Sequence, residues 1–194
     1  HIMAGNVATL AAFNQLSDWG ADSIRVGVGG GSICSTRIQT GHGVPTLQSI
    51  MDCSQTDRSA MLIADGGIKN SGDIVKALAA GADMVMLGSM LAGTTETPGE
   101  IIYLNGNRCK AYRGMASKDA QIQWRGHTAS IEGVSSTVPL KGDVKSVVSE
   151  IMTGVRSGMS YTGVRTLREL HLKSNFIRQT SAGSVESSTH INRV

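Results

Sequence analysis

The stretch Met61-Leu62-Ile63-Ala64-Asp65-Gly66-Gly67-Ile68, followed by 71–80 and then by Gly81-Ala82-Asp83-Met84-Val85-Met86-Leu87-Gly88-Ser89, decides the fold class. Met61-Leu62-Ile63-Ala64 is an unbroken apolar run of strand length, as expected of a strand buried on both faces. It stops at Asp65-Gly66-Gly67. Residues 71–80 have helical spacing, and Gly81 is the stop signal after them. Met84-Val85-Met86-Leu87 is the next buried strand, ending in Gly88-Ser89. Strand, helix and strand in this order form a right-handed parallel crossover.

The rhythm extends upstream. Ile2-Met3 runs into Ala4-Gly5-Asn6 like a strand ending in a polar turn, and 9–19 carries Leu10, Phe13, Leu16 and Trp19 at helical spacing with Thr9 as N-cap. Ser23-Ile24-Arg25-Val26-Gly27-Val28 reads as a strand that enters Gly29-Gly30-Gly31, and a helix follows the loop at 46–53. Gly20-Ala21-Asp22 and Gly81-Ala82-Asp83 occupy the same place in two successive units. The spacing predicts four parallel strands alternating with helices, an α/β fold with its sites at the C-terminal strand ends. Beyond Gly88 the pattern changes. Asn105-Gly106 predicts a hairpin between 101–103 and 108–112, 113–139 reads as a long irregular loop, and 143–156 and 166–173 read as helices. Phe176-Ile177 reads as a last short strand, and the chain from Ser181 as a weakly structured tail.

In 194 residues, 18 basic and 15 acidic side chains leave a net charge of +3, and the scattered cations and sparse aromatics point away from nucleic acid. No apolar run approaches the ~20 residues of a membrane span. Cys34, Cys53 and Cys109 cannot all pair within the chain and lack CxxC spacing, the habit of a reducing compartment such as the cytoplasm. Neither they nor the histidines form a metal-ligand spacing. The opening His1-Ile2-Met3 is either a cloning remnant before Met3 or a strand entered midway in a longer chain.

Three loops concentrate residues capable of chemistry. In Gly29-Gly30-Gly31-Ser32-Ile33-Cys34-Ser35-Thr36-Arg37, the glycines let main-chain groups approach a ligand or ion. Cys34 is either a thiol activated by amide dipoles and Arg37 or a small buried hydrophobe. Asp65 with Gly66 and Gly67, and Gly88 with Ser89, suit a sugar diol and a phosphate; they equally suit ordinary turns. In the third, Met115 suits packing on a flat ring and Glu132 a proton shuttle, although a lone loop glutamate is more often a solvated charge.

Ala4-Gly5-Asn6-Val7, Gly31-Ser32-Ile33-Cys34-Ser35-Thr36-Arg37, Ile63-Ala64-Asp65-Gly66-Gly67-Ile68, Met86-Leu87-Gly88-Ser89-Met90-Leu91-Ala92-Gly93 and Tyr112-Arg113-Gly114-Met115 occur in that order. Together they resemble the IMP dehydrogenase/GMP reductase family. The resemblance implies a (β/α)8 TIM barrel in which 1–194 is the C-terminal part of one catalytic domain: strands five to eight, a lid at 113–139, C-terminal helices and a flexible tail at 181–194. It also implies that the N-terminal half of the barrel lies in a missing segment or on another chain, since four units cannot close on themselves.

The resemblance further implies that Cys34 attacks C2 of a purine nucleotide, giving a covalent thioimidate, while Thr36 and Glu132 handle protons. Ser32, Asp65, Gly66, Gly67, Gly88 and Ser89 then hold the ribose phosphate, with Tyr112, Gly114 and Met115 completing the substrate site. Asn6, Gly27 and Ser117 fall on the cofactor side. A potassium site is implied at Gly29, Gly31 and Cys34, completed by Glu186, Ser187 and Ser188 of a neighbouring subunit in a homotetramer. The lid is short, with 16 residues between Met115 and Glu132, and lacks the Arg-Tyr pair that activates water in the dehydrogenases; Trp124-Arg125 is the nearest match. This favours GMP reductase with NADPH. The tail at 176–187 is closer to that of IMP dehydrogenase with NAD, which stays as the alternative, with Arg125 as a possible base. A third reading is a non-catalytic nucleotide-binding half-barrel that acts only with a partner chain.

Overall fold

The computed structural model describes residues 1–129, 132–189 and 191. Four parallel strands, β1 (Met3–Val7), β2 (Ser23–Val26), β3 (Met61–Asp65) and β4 (Met84–Met86), lie side by side in sequence order. Helices α1 (Leu10–Asp18), α3 (Thr46–Cys53) and α4 (Ser71–Ala79) connect them, and a one-turn helix α2 (Thr36–Thr40) follows the cysteine loop. The α/β alternation read from the sequence is therefore present, with strands in the expected places. The small helix α2 lay unseen within the loop before Pro45.

The helices cover one face of the sheet. Phe13 of α1, Ile50 and Cys53 of α3 and Ala77 of α4 pack on Ile24, Val26, Leu62 and Ala64. Alternation along the strands places Arg25, Met61, Ile63, Asp65, Met84 and Met86 on the opposite face. There Met3, Met61 and Met84 remain 51%, 39% and 39% exposed. A parallel sheet is ordinarily buried on both faces, so this surface has the character of half an interior.

The remaining chain builds against α4 and the loop ends. Strands β5 (Ile101–Leu104) and β6 (Asn107–Arg113) form the hairpin expected at Asn105-Gly106, where both residues have positive φ. The reading of 113–139 as irregular is corrected: α5 (Lys118–Arg125) folds within it, and β7 (Ser135–Pro139) returns antiparallel to β6. Ser117 starts α5 by accepting the Ala120 N–H, and Gly126 stops it in the left-handed region. Both signals were local and legible, but the helix is too polar to show an apolar period.

Helix α6 (Val144–Thr162) runs beyond the expected end, and α7 (Leu167–Lys173) starts at a capping box formed by Thr166 and Glu169. Ile151, Val155, Val164 and Leu170 form a second core with Ile74 and Leu78 of α4. Phe176 packs against the first core and Ile177 is exposed, so this pair is not the strand the sequence suggested. The tail is likewise corrected: Ser181–Glu186 forms α8, capped by Thr180. No helix among the described residues is long and apolar enough to cross a membrane.

Candidate active site

The C-terminal ends of β2, β3 and β4 converge on a cleft of about 180 Å³. Ser32, Asp65, Gly66, Gly67, Gly88, Ser89 and Tyr112 all line it, although they come from four separate segments. The loop after β2 and the turn after β3 meet main chain to main chain. A Cβ on Gly66, whose φ is +103°, would stand 2.9 Å from the Gly30 carbonyl carbon, so only glycine permits this approach. Tyr112 reaches in from β6 and stands 3.4 Å, hydroxyl to hydroxyl, from Ser32.

Asp65 is fixed from the uncovered sheet face. One of its carboxylate oxygens accepts from Arg25 Nη2 at 2.7 Å, Arg25 Nε at 3.1 Å and Asn6 Nδ2 at 2.7 Å. The β1–β2 register shifts between Gly5 and Val7, leaving Asn6 as the odd residue. Such an irregularity re-aims a side chain, and the Asn6 amide also donates to the Gly27 carbonyl at 2.8 Å. Arg25 is a site residue that the sequence reading missed. Its signal was a lone charge in an otherwise apolar strand, on the same face as Asp65.

Cys34 is half-buried beside the cleft wall formed by Gly31 and Ser32. Its Sγ lies 3.2 Å from Thr36 Oγ1, which donates to Glu132 Oε2 at 2.8 Å. A threonine hydroxyl has one proton. With that proton directed at Glu132, the oxygen is left to accept from the thiol. The three side chains thus form a proton path from sulfur to carboxylate. Main-chain bonds hold the path together: Ser35 N donates to Glu132 O at 2.9 Å and Val134 N to Ile33 O at 3.0 Å. Gly133 bridges to both Cys34 and Ser117, and a Cβ there would meet Ser117 N at 2.8 Å.

The other cysteines are built differently. Burial, reinforced by the nearby Asp52 carboxylate, pushes the Cys53 thiol up to about 11, and Cys109 is buried in β6. Arg37 does not reach Cys34 in the way expected. Its guanidinium donates to the carbonyls of Val28 and Val44, closing the base of the loop.

Of the remaining expected residues, Gly31 lines the cleft, and Gly114, Met115, Ser117, Ser187 and Ser188 fall outside it. Gly114 packs beside Ile33, and Met115 is 73% exposed. Ser117 is buried with its hydroxyl engaged in capping α5. The Ser187 and Ser188 hydroxyls bond carbonyls of their own helix, Gly183 and Val185. Gly31 O accepts the Cys34 N–H at 3.1 Å.

An open parallel sheet with a small cleft and a hydrogen-bonded Cys34–Thr36–Glu132 chain at its strand ends defines an α/β protein whose candidate site lies at the C-terminal ends of its strands. The comparisons narrow it. The IMP dehydrogenase / GMP reductase domain matches residues 1–190, and the chain belongs to that family. It is 48% identical to the inosine-5'-monophosphate dehydrogenase of Chlorobaculum tepidum and 44% identical to the GMP reductase of Leishmania major, each over 97% of this chain. The crystal structure of a cysteine-to-alanine variant of Trypanosoma brucei GMP reductase, in complex with guanosine 5'-monophosphate, superposes with a TM-score of 0.95 at 43% identity over 99% of this chain. In all three cases the chain spans 41% of the relative's length. Relatives of both activities thus match at similar identity, and the fold is part of a TIM barrel.

Proposed function

We propose that this chain is the thiol-bearing part of a purine nucleotide oxidoreductase whose reaction is the NADPH-dependent reductive deamination of GMP to IMP. The observation that carries the proposal is the Cys34–Thr36–Glu132 path beside the cleft. Cys34 passes its proton through Thr36 toward Glu132, and sulfur bonds to purine C2. The same path returns a proton to the 2-amino group, which leaves as ammonia. Once C2 has taken up hydride, the C–S bond breaks and IMP departs. Asp65 suits the ribose diol, and Gly88 and Ser89 suit the phosphate.

NADPH supplies the hydride. Asn6 and Gly27, at the strand ends beside Asp65, fit the cofactor side; Ser117, with its hydroxyl spent on α5, does not. The carbonyls of Gly29, Gly31 and Cys34 are hard oxygen donors, of the kind a potassium ion takes. Glu186, Ser187 and Ser188 of a neighbouring subunit would complete its shell in a homotetramer. The four strands are assigned as the fifth to eighth of the barrel, with another segment or chain covering Met3, Met61 and Met84. The three cysteines are free, in keeping with the cytoplasm.

Two features support reductase over dehydrogenase. Only 16 residues separate Met115 from Glu132, with no Arg-Tyr pair among them. Arg125, the candidate water-activating base, stacks on the Trp124 ring at 4.5 Å. The test is turnover of the intact protein with GMP and NADPH, and then with IMP and NAD. Oxidation of IMP alone would establish the dehydrogenase, and turnover of neither pair the non-catalytic reading.

A further inference from the structure

The turn that carries Gly88 and Ser89 is held from behind. Lys141, just past β7, donates its ammonium to the carbonyls of Ser89 at 2.7 Å and Met90 at 3.0 Å. Its own N–H donates to Gly93 O at 2.7 Å. The approach is close: a Cβ on Gly93 would meet Pro139 O at 2.2 Å and Lys141 Cγ at 3.2 Å. Thr95 N donates to Gly142 O at 2.8 Å, so the segment after β7 is laced along the whole turn. Leu91 N and Ala92 N both bond Gly88 O, which makes residues 88–92 a single helical turn. Its first residues line the cleft, while the Ser89 and Met90 carbonyls are turned toward Lys141.

We infer that Lys141 is a positioning residue for the anion end of the substrate, orienting the Gly88-Ser89 turn through two main-chain carbonyls without lining the small cleft. The inference rests on the proposed nucleotide site and extends it. An ammonium on the Ser89 and Met90 carbonyls holds both peptides in one orientation and polarises them. The Leu91 N–H of the second closes the turn onto Gly88 O, and the Met90 N–H of the first stands at the head of the turn next to Ser89, which lines the cleft. The geometry therefore assigns Lys141 an effect on the phosphate, with none on the base or the ribose.

The test is calorimetric binding of GMP and of guanosine to the intact protein, as wild type and as the Lys141→Met and Lys141→Arg variants. Loss of a charge-assisted bond predicts GMP weakened by about tenfold in Lys141→Met, with guanosine unchanged and Lys141→Arg restoring much of the loss. GMP binding unchanged in Lys141→Met overturns the inference, and so does an equal loss for GMP and guanosine, the mark of general loosening. Should the wild type bind guanosine as tightly as GMP, the phosphate site itself fails, a result distinct from either of those.

Discussion

Thr36 Oγ1 donates to Glu132 Oε2 at 2.8 Å across 96 positions of chain. The contact joins the loop after β2 to the segment leading into β7, and with it the Cys34 loop to a separate antiparallel sheet. Neither residue is chemically unusual alone. Their pairing makes Cys34 the start of a hydrogen-bonded chain that ends on a carboxylate.

Glu132→Gln keeps the shape of that chain and removes the proposed base. Turnover should fall by roughly 10²–10⁴-fold, with nucleotide affinity little changed, because the cleft is lined by other loops. Steady-state kinetics beside equilibrium binding will separate the two; a rise in KM with kcat intact would contradict the assignment.

Gly133→Ala should act on the same path indirectly. A Cβ placed 2.8 Å from Ser117 N forces the return segment outward, moving Glu132 away from Thr36. A displacement of about 1 Å in a catalytic group costs on the order of 10²-fold in rate. The clash is with main chain at the cap of α5, so the expected signature in steady-state kinetics and thermal melts is a loss of kcat together with a lowered melting temperature.

Thiol chemistry should single out one cysteine. Cys53 is held protonated to about 11 by its burial and the Asp52 charge, and Cys109 is enclosed in β6. Iodoacetamide at pH 8 should therefore add one carbamidomethyl group to the native protein, on Cys34. The Cys34→Ala variant should resist labelling and lose turnover while still binding nucleotide. Peptide mass spectrometry reads the site directly.

Acid should weaken the start of α7. The Arg165 N–H bonded to Glu169 holds its carboxyl below the usual 4.5, outweighing partial burial, with Thr166 and Lys173 adding to the effect. A carboxylate whose pKa is lowered on folding adds stability that is fully present above about 4.5 and is lost as pH falls through the lower folded value. Melting temperature followed from pH 7 to pH 3 should drop in wild type, and less steeply in Glu169→Gln.

Phe13→Ala should cost about 3–5 kcal/mol in urea unfolding, since this ring is fully buried between α1 and the sheet. A loss below about 1 kcal/mol would mean that the helix-side core is not continuous.

The sequence by itself determined the parallel α/β layer. Unbroken apolar runs and the glycines that end them state where β3 and β4 lie, and the run from Ser23 into Gly29-Gly30-Gly31 marks β2 although Arg25 interrupts it. It also named the cleft residues as motifs, since a glycine or short polar residue at a strand end is a local feature. Tertiary structure alone decided which of those residues work together. Helix α5 and strand β7 escaped notice because their polar sequences take their order from pairing with β6 and from a cap, and neither leaves an apolar period. Arg25 reached Asp65, and Lys141 reached Ser89, through contacts between distant segments. Such contacts form only when the folded chain brings separate strand ends to one rim, and no spacing along a single stretch of sequence encodes them.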